Sequence, residues 1–354
     1  MVLARPIYTS DGRVLLRKGI TLTSGYIDRL MRMGYTFVYV DDGETYDIDV
    51  DDTIPLEVRQ EVVGRVKNVY DRMADETSRR KVLQTGELGN EFVRIFNMLF
   101  QYLKANGSFV LHMSAIYSSD AFLYTHCVNV GIYTSTIAIA HGYSDDRVRQ
   151  LGVGAMLHDI GKLTISRAIL DKPSALTAEE RKEIEKHCWN GYEILSKQTE
   201  ISSVSAHCAL QHHERWDGTG YPRQLKGMDI HEVGRMTAVG DVYDALTSNR
   251  VYRGAILPHE ALEFLYSETG KYFDQQFVNL FSKHVNIYPV GVPVDLSNGC
   301  HGVVSRANSD RLSRPVVRVL VESGQKLSTP YELDLSTQLN VMITRCGISH
   351  PSSI

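Results

Sequence analysis

The chain has no Cys-x-x-Cys, no Gly-x-Ser-x-Gly, no signal-like apolar start and little net charge, and each absence closes off a class of function. Its five cysteines, Cys127, Cys188, Cys208, Cys300 and Cys346, stand singly, and the odd count leaves at least one unpaired, so a reduced, cytoplasmic setting is expected. The opening residues, Met1-Val-Leu-Ala-Arg-Pro-Ile-Tyr8, lack the long apolar run of a signal peptide. The longest stretch without Asp, Glu, Lys or Arg runs from Ala121 to Ser144, long enough to cross a bilayer. His126, Asn129, His141 and several Ser and Thr interrupt it, so it reads as a buried helix and no membrane anchoring is expected. A net charge of -4 gives no whole-chain attraction to DNA, RNA or anionic membrane, and any phosphate-binding surface must be local. Gly161-Lys162-Leu163 is not a phosphate-binding P-loop, because Leu163 stands at the Ser/Thr position and Met156 at the first glycine. Without Gly-x-Ser-x-Gly, a Ser-His-Asp hydrolase has no support either.

What is present is ordinary for a globular protein of 354 residues: 43% hydrophobic and 23% charged, enough for two or three domains with buried cores. Residues 1–52 read as a small mixed α/β unit. Asp11-Gly12 lies between Ile7-Tyr8 and Val14-Leu15-Leu16, a hairpin signal. Thr23 can cap a helix through Met33 with Ile27, Leu30 and Met31 on one face, and Thr36 to Val40 suit a strand. The acids Asp41, Asp42, Asp47, Asp49, Asp51 and Asp52 then suggest a linker. Residues 53–108 form a helical connector: Val62, Val66, Val69 and Met73 recur at helical spacing, as do Phe92, Ile95, Phe96, Leu99 and Leu103. Such stripes are usually core, and they also motivate a homodimer through this segment. Residues 109–288 read as nearly all helix, with Thr177-Ala-Glu-Glu180 as a capping box. Residues 289–354 change to Val-rich runs broken by Asn298-Gly299 and Gly324, a small β-rich unit. The whole is multi-domain and mainly α.

The helical region carries seven metal-ligand candidates: His126, His158, Asp159, His187, His212, His213 and Asp241. Imidazole and carboxylate together suit divalent transition metals such as Fe, Mn or Zn. Neighbouring side chains on a helix point about 100° apart, so in the pair His158-Asp159 the carboxylate could bridge two metals while the imidazole takes one. His112, His141, His207 and His259 stand alone and read as structural.

The surroundings are more specific than any single histidine. His158-Asp-Ile-Gly-Lys162 is followed by His212-His-Glu-Arg-Trp-Asp-Gly-Thr-Gly-Tyr-Pro222 and by Gly240-Asp-Val-Tyr-Asp-Ala-Leu-Thr-Ser-Asn-Arg250-Val-Tyr-Arg253. In order and content these resemble the HD-GYP family of cyclic di-GMP phosphodiesterases, a branch of the HD metal-hydrolase superfamily, over residues 109–288. The resemblance implies an all-helical HD-type domain with two divalent metal ions, Fe or Mn. His126, His158, Asp159 and Asp241 would hold one ion; Asp159, His187, His212 and His213 would hold the other. A water between them, its pKa lowered by the cations, would attack phosphorus. The resemblance further implies that Lys162, Arg250 and Arg253 grip the substrate phosphates and that Asp120 lies near the catalytic water and Lys162. Gly220, Tyr221 and Pro222 belong to a loop that contacts substrate or signalling partners, where Tyr221 and Trp216 either stack on guanine or pack the loop.

The chain also departs from the family. Phe122 stands four residues before His126, where some members have a glutamate for a third metal, which implies a two-metal site. Val251 replaces the proline often found between the last Arg and Tyr. The first 50 residues and the tail, with Leu296-Ser-Asn-Gly299 and Arg314-Pro-Val-Val-Arg318, resemble units that accompany this domain, the tail reading as a structural cap. The implied activity is hydrolysis of cyclic di-GMP to linear pGpG and on to GMP. Its rivals are the same chemistry on another cyclic dinucleotide such as cyclic GMP-AMP, or on a mononucleotide, and a sensor or scaffold that binds without cutting.

Overall fold

The structure, a computed structural model, describes residues 1–9, 13–33, 35, 38–41, 43–48, 52–105, 111, 122–172, 174–248 and 256–346. Among them the chain is mainly helical, with a small mixed unit before the helices and a five-stranded sheet after them.

The first unit contains β1 (Val2–Leu3), β2 (Ile7–Tyr8), β3 (Val14–Leu16), α1 (Ser24–Arg32) and β4 (Val40–Asp41). β2 and β3 pair antiparallel, Ile7 opposite Leu16, as a hairpin requires; its turn, Asp11-Gly12, lies outside the described residues. The Thr23 hydroxyl caps α1 by accepting from the Tyr26 N–H. Met31 does not share the inner face with Leu30: it is 68% exposed while Leu30 is buried. The two are successive on a helix and point about 100° apart. The strand expected over Thr36 to Val40 is only Val40–Asp41, with Val38 and Tyr39 preceding it and Thr36 and Phe37 outside the described residues. Its partner β1 is equally short, and Pro6 soon after has no N–H to extend a ladder. Leu3, Ile7, Leu22, Leu30 and Tyr35 make a small core of their own.

The helical body begins with α2 (Leu56–Ala74), α3 (Glu76–Gln84) and α4 (Glu87–Ala105). It continues with α5 (Phe122–Ala140), α6 (Asp145–Met156), α7 (Arg167–Leu170), α8 (Ala178–Ser196), α9 (Ser203–Gln211), α10 (Glu232–Thr247), α11 (Pro258–Ser267) and α12 (Gln275–His284). Short 3-10 turns lie at Ile160–Thr164 and Gly227–Asp229. The apolar stripes of α2 and α4 are buried, but in one core with Cys127, Ile132 and Leu151 of α5 and α6. They are covered by the chain's own helices, so they no longer argue for a homodimer. α5 is central, with α2, α6, α10 and α12 packed around it. Its buried Ser135 and Thr136 hydroxyls donate to the Gly131 and Ile132 carbonyls at 2.6 and 3.0 Å, so the helix meets part of its buried polarity from its own backbone. No described helix is long and apolar enough to cross a membrane. The capping box forms as expected at the start of α8: Thr177 accepts from the Glu180 N–H, and the Glu180 carboxylate accepts from the Thr177 N–H.

The sheet comprises β5 (Pro293–Leu296), β6 (His301–Arg306), β7 (Val316–Glu322), β8 (Gln325–Asp334) and β9 (Ile343–Cys346), antiparallel throughout in the order β8-β7-β6-β5-β9. Val294, Val304, Val317 and Val319 join the main core. The acidic stretch after β4 is no free tether. The Arg318 guanidinium on β7 donates to both carboxylate oxygens of Asp47 and to the Glu44 carbonyl, and Lys326 on β8 pairs with the Glu44 carboxylate at 2.6 Å.

Candidate metal centre

Five segments converge beneath α5. His126 lies on α5, His187 on α8 and Asp241 on α10, while His212 and His213 follow the end of α9. His158 and Asp159 are not on a helix, as the sequence suggested, but in the turn after α6 that leads into the 3-10 segment. The chain breaks from helix there because Gly161 must approach α8 closely: a Cβ at that position would sit 1.9 Å from the His187 carbonyl oxygen.

The Asp159 carboxylate stands at the middle and divides its oxygens. Oδ2 faces His158 Nε2 at 3.4 Å and His126 Nε2 at 3.9 Å; Oδ1 faces His187 Nε2 at 3.4 Å and His212 Nε2 at 3.8 Å. Asp241 Oδ1 lies 3.2 Å from His126 Nε2 and 3.8 Å from His158 Nε2. Ligand atoms of Asp159, His187, His212 and His213 lie within 4.8 Å of one another, as do those of His126, His158 and Asp159, and those of His158, His212 and Asp241.

The far side of each ring explains its aim. His158 Nδ1 donates to the Ala155 carbonyl at 2.7 Å, His187 Nδ1 to Ile184 at 2.6 Å, and His212 Nδ1 to Ala209 at 2.9 Å. A proton held on Nδ1 leaves the Nε2 lone pair free to bind a cation. His158 Nε2 and Asp159 Oδ1 are buried with no hydrogen-bond partner. Buried polar atoms are seldom left so, and neutral imidazoles around carboxylates are the donor set that divalent transition metals take. The residues present fit such ions.

Charge follows the same plan. Burial would push the Asp159 carboxyl up, but Lys162 and the neighbouring imidazoles hold it well below the usual carboxylate range. Burial likewise opposes ionisation of Asp241, and His126 and His158 keep it depressed. Burial pushes the His187 and His212 imidazolium pKa down, and that of His213 to about 3, so these rings stay neutral. For His126 burial is outweighed by hydrogen bonds to Asp241 and Asp244, which raise it to about 9.

Lys162 Nζ donates to Asp159 Oδ2 at 2.6 Å, so it belongs to the cluster. Gly220 is required where it stands: a Cβ would lie 2.3 Å from the Arg215 nitrogen. The Tyr221 N–H donates to the His213 carbonyl, and its ring packs on His213 with centroids 4.7 Å apart. Trp216 sits under the Arg235 guanidinium, and its N–H donates to the Tyr272 carbonyl. Both rings pack within the loop here. Buried Glu214 ties the loop back, accepting from the Arg223 and Leu225 N–H groups beyond Pro222 at 2.8 and 3.0 Å. Asp120, Arg250, Arg253, Val251 and the Phe122 side chain lie outside the described residues.

Two residues of the site were not read from the sequence. Asp244 on α10 holds His126 Nδ1 at 2.8 Å, and Asn129 on α5 holds Asp244 at 2.7 Å. The signal was available: each lies three residues beyond a candidate ligand on the same helix face.

Comparison with known proteins adds a family. Residues 111–277 match the family described as HD domain, and residues 293–349 the family described as KOW domain associated with HD domain. The cyclic di-GMP phosphodiesterase PA4108 of Pseudomonas aeruginosa is 37% identical over 224 residues, 63% of this chain and 54% of that protein. A cyclic di-GMP phosphodiesterase of Thermotoga maritima is 34% identical over 230 residues, 64% of this chain and 61% of its own length. A 3'3'-cGAMP-specific phosphodiesterase of Vibrio cholerae, the second of that name, is 36% identical over 160 residues, 45% of this chain and 31% of that protein. The chain thus spans between half and two thirds of the first two relatives.

Proposed function

From the premise that this chain carries an HD domain, we propose that it is a metal-dependent phosphodiesterase that opens a cyclic dinucleotide, cyclic di-GMP first of all. One observation carries the reading: a single buried carboxylate, Asp159, turns one oxygen to His126 and His158 and the other to His187 and His212. That is the arrangement a bridging ligand between two cations needs. His126, His158, Asp159 and Asp241 would hold one ion, and Asp159, His187, His212 and His213 the other, with Fe or Mn suiting the nitrogen and oxygen donors. Bound there, such ions supply Lewis-acid charge at the phosphate and lower the pKa of water.

The remaining work falls to the chain. Lys162, partly exposed beside Asp159, is placed to meet a phosphate oxygen as a point charge. Arg250 and Arg253 hold the second phosphate in this reading, and Asp120 orients the incoming water. Water adds to phosphorus, the P–O bond to the ribose 3'-oxygen breaks, and that oxygen takes the proton, giving linear pGpG; a second hydrolysis gives GMP. Tyr221, packed on His213, links the glycine-rich loop to the cluster, so a signalling protein docked on that loop would press on a ligand. Five unpaired, buried cysteines accord with a cytoplasmic setting.

A second reading keeps the chemistry and changes the bases: a relative named as specific for 3'3'-cGAMP supports it. The deciding experiment is turnover of cyclic di-GMP and of cyclic GMP-AMP by protein purified without oxygen, with Fe or Mn, beside Asp159→Ala. Metal-dependent pGpG lost in the variant supports the first reading. Cleavage of cyclic GMP-AMP alone supports the second, and metal-loaded protein that cuts neither substrate overturns both.

A further inference from the structure

One ring of the cluster is supported by different means from the others. The rings of His158, His187 and His212 are aimed by main-chain carbonyls, which no substitution removes. His126 alone among these is aimed by a side chain. Its Nδ1 bonds Asp244 Oδ2 at 2.8 Å, and the other oxygen of Asp244 accepts from Asn129 Nδ2 at 2.7 Å. Asp244 is 1% exposed and Asn129 3%, so both bonds are shielded from water. Among the described residues, Asp244 and Asn129 reach the cluster through His126, and no ligand atom of the second half is bonded to either.

We propose that Asp244, itself oriented by Asn129, is the positioning residue that fixes the His126 tautomer and thereby sets the affinity of the first metal half, His126, His158, Asp159 and Asp241, independently of the second. The inference rests on the reading of the cluster as a metal centre, and wild-type protein that takes up no metal would sink that reading by itself.

The chemistry makes Asp244→Asn the informative change. A carboxylate can only accept, so His126 must keep a proton on Nδ1, and Nε2, which faces Asp241 and Asp159, is the atom an ion would take in place of a proton. In the variant, the Asn129 amide N–H holds the new carbonyl oxygen toward itself. The new amide nitrogen then faces His126 and donates to Nδ1. The imidazole must then give up the proton on Nδ1 and keep one on Nε2, the atom that would bind the ion. Supporting groups of this kind change metal affinity by about 10- to 100-fold.

The experiment measures Mn content by mass spectrometry and affinity by chelator competition on the full chain. Long-range nitrogen–proton NMR of the metal-free protein reads whether His126 Nδ1 carries a proton. Wild type is expected to hold about two ions with His126 protonated on Nδ1. Asp244→Asn is expected to leave His126 Nδ1 without a proton, to weaken one ion by about 10- to 100-fold and to leave the other unchanged. Added to His126→Ala it should cost nothing more; added to His187→Ala it should weaken the remaining ion by the same factor. Unchanged affinity for both ions, equal loss of both, or a proton kept on Nδ1 overturns the proposal. Should Asp244→Asn not fold, Asn129→Ala tests the same chain of bonds: a several-fold loss confined to one ion upholds it, and no loss or an even loss overturns it.

Discussion

α4 and α5 have the same length, 19 residues, and share one core, yet they are built on opposite principles. α4 buries Phe92, Ile95, Phe96, Leu99 and Leu103 on one face and keeps Glu87, Arg94 and Lys104 on the other. α5 is closed in on all sides and still holds His126, Asn129, Thr134, Ser135 and Thr136 in its interior. A helix that only packs can leave its polar groups to water. A helix that carries a site must bury some, and each then needs a partner. Ser135 and Thr136 find theirs in their own backbone; His126 and Asn129 find theirs in Asp244. Polarity in the middle of a buried helix therefore marks function where an amphipathic stripe marks packing.

Substitutions can break that contrast. The largest effect is expected from Asp159→Ala. Loss of the shared carboxylate should abolish turnover by far more than the roughly 100-fold that removing a supporting group costs, with metal content lost and helix content by circular dichroism unchanged. Phe96→Ala should do the reverse: about 3–5 kcal/mol less stability in a urea melt, with metal content kept. A loss of metal in Phe96→Ala would show that packing and site are not separable.

Acid sharpens the contrast at a smaller scale, since α4 buries no titratable side chain. His207 and His231 stack with centroids 5.5 Å apart, and burial pushes both imidazolium pKa values down. A depressed histidine leaves the unfolded chain holding more protons below about 6.5, so its share of stability is complete above that pH and is lost as pH falls toward the folded value. The Tm is expected to fall between pH 7 and pH 5, and to fall less in His207→Gln. The smallest effect is expected from Asp47→Ala, whose partner Arg318 lies at the surface of the sheet. A slight drop in Tm at low salt should vanish near about 1 M salt, where charges beyond about 3 Å are screened.

The sequence was most legible where residues act through type and spacing. The Thr177–Glu180 capping box forms because it requires only a fixed offset along a helix, and the seven ligand candidates, picked by residue type and motif, come together from five segments. Legibility failed where a residue's role depends on what lies across from it. The strand around Val40 is short because its partner is short. The stripes of α2 and α4 meet α5 and α6, a pairing no single segment can announce. Asp244 was passed over because its partner, His126, lies 118 residues away.

The bond between Asp47 and Arg318 joins residues 271 positions apart. In mechanical terms it is a shunt across the helical body. A pull that draws the first unit away from the last sheet meets this charged clasp in parallel with the long covalent path through the helices. With Lys326 on Glu44 beside it, the clasp is a direct link between the first unit and the sheet that bypasses the long path through α2 to α12.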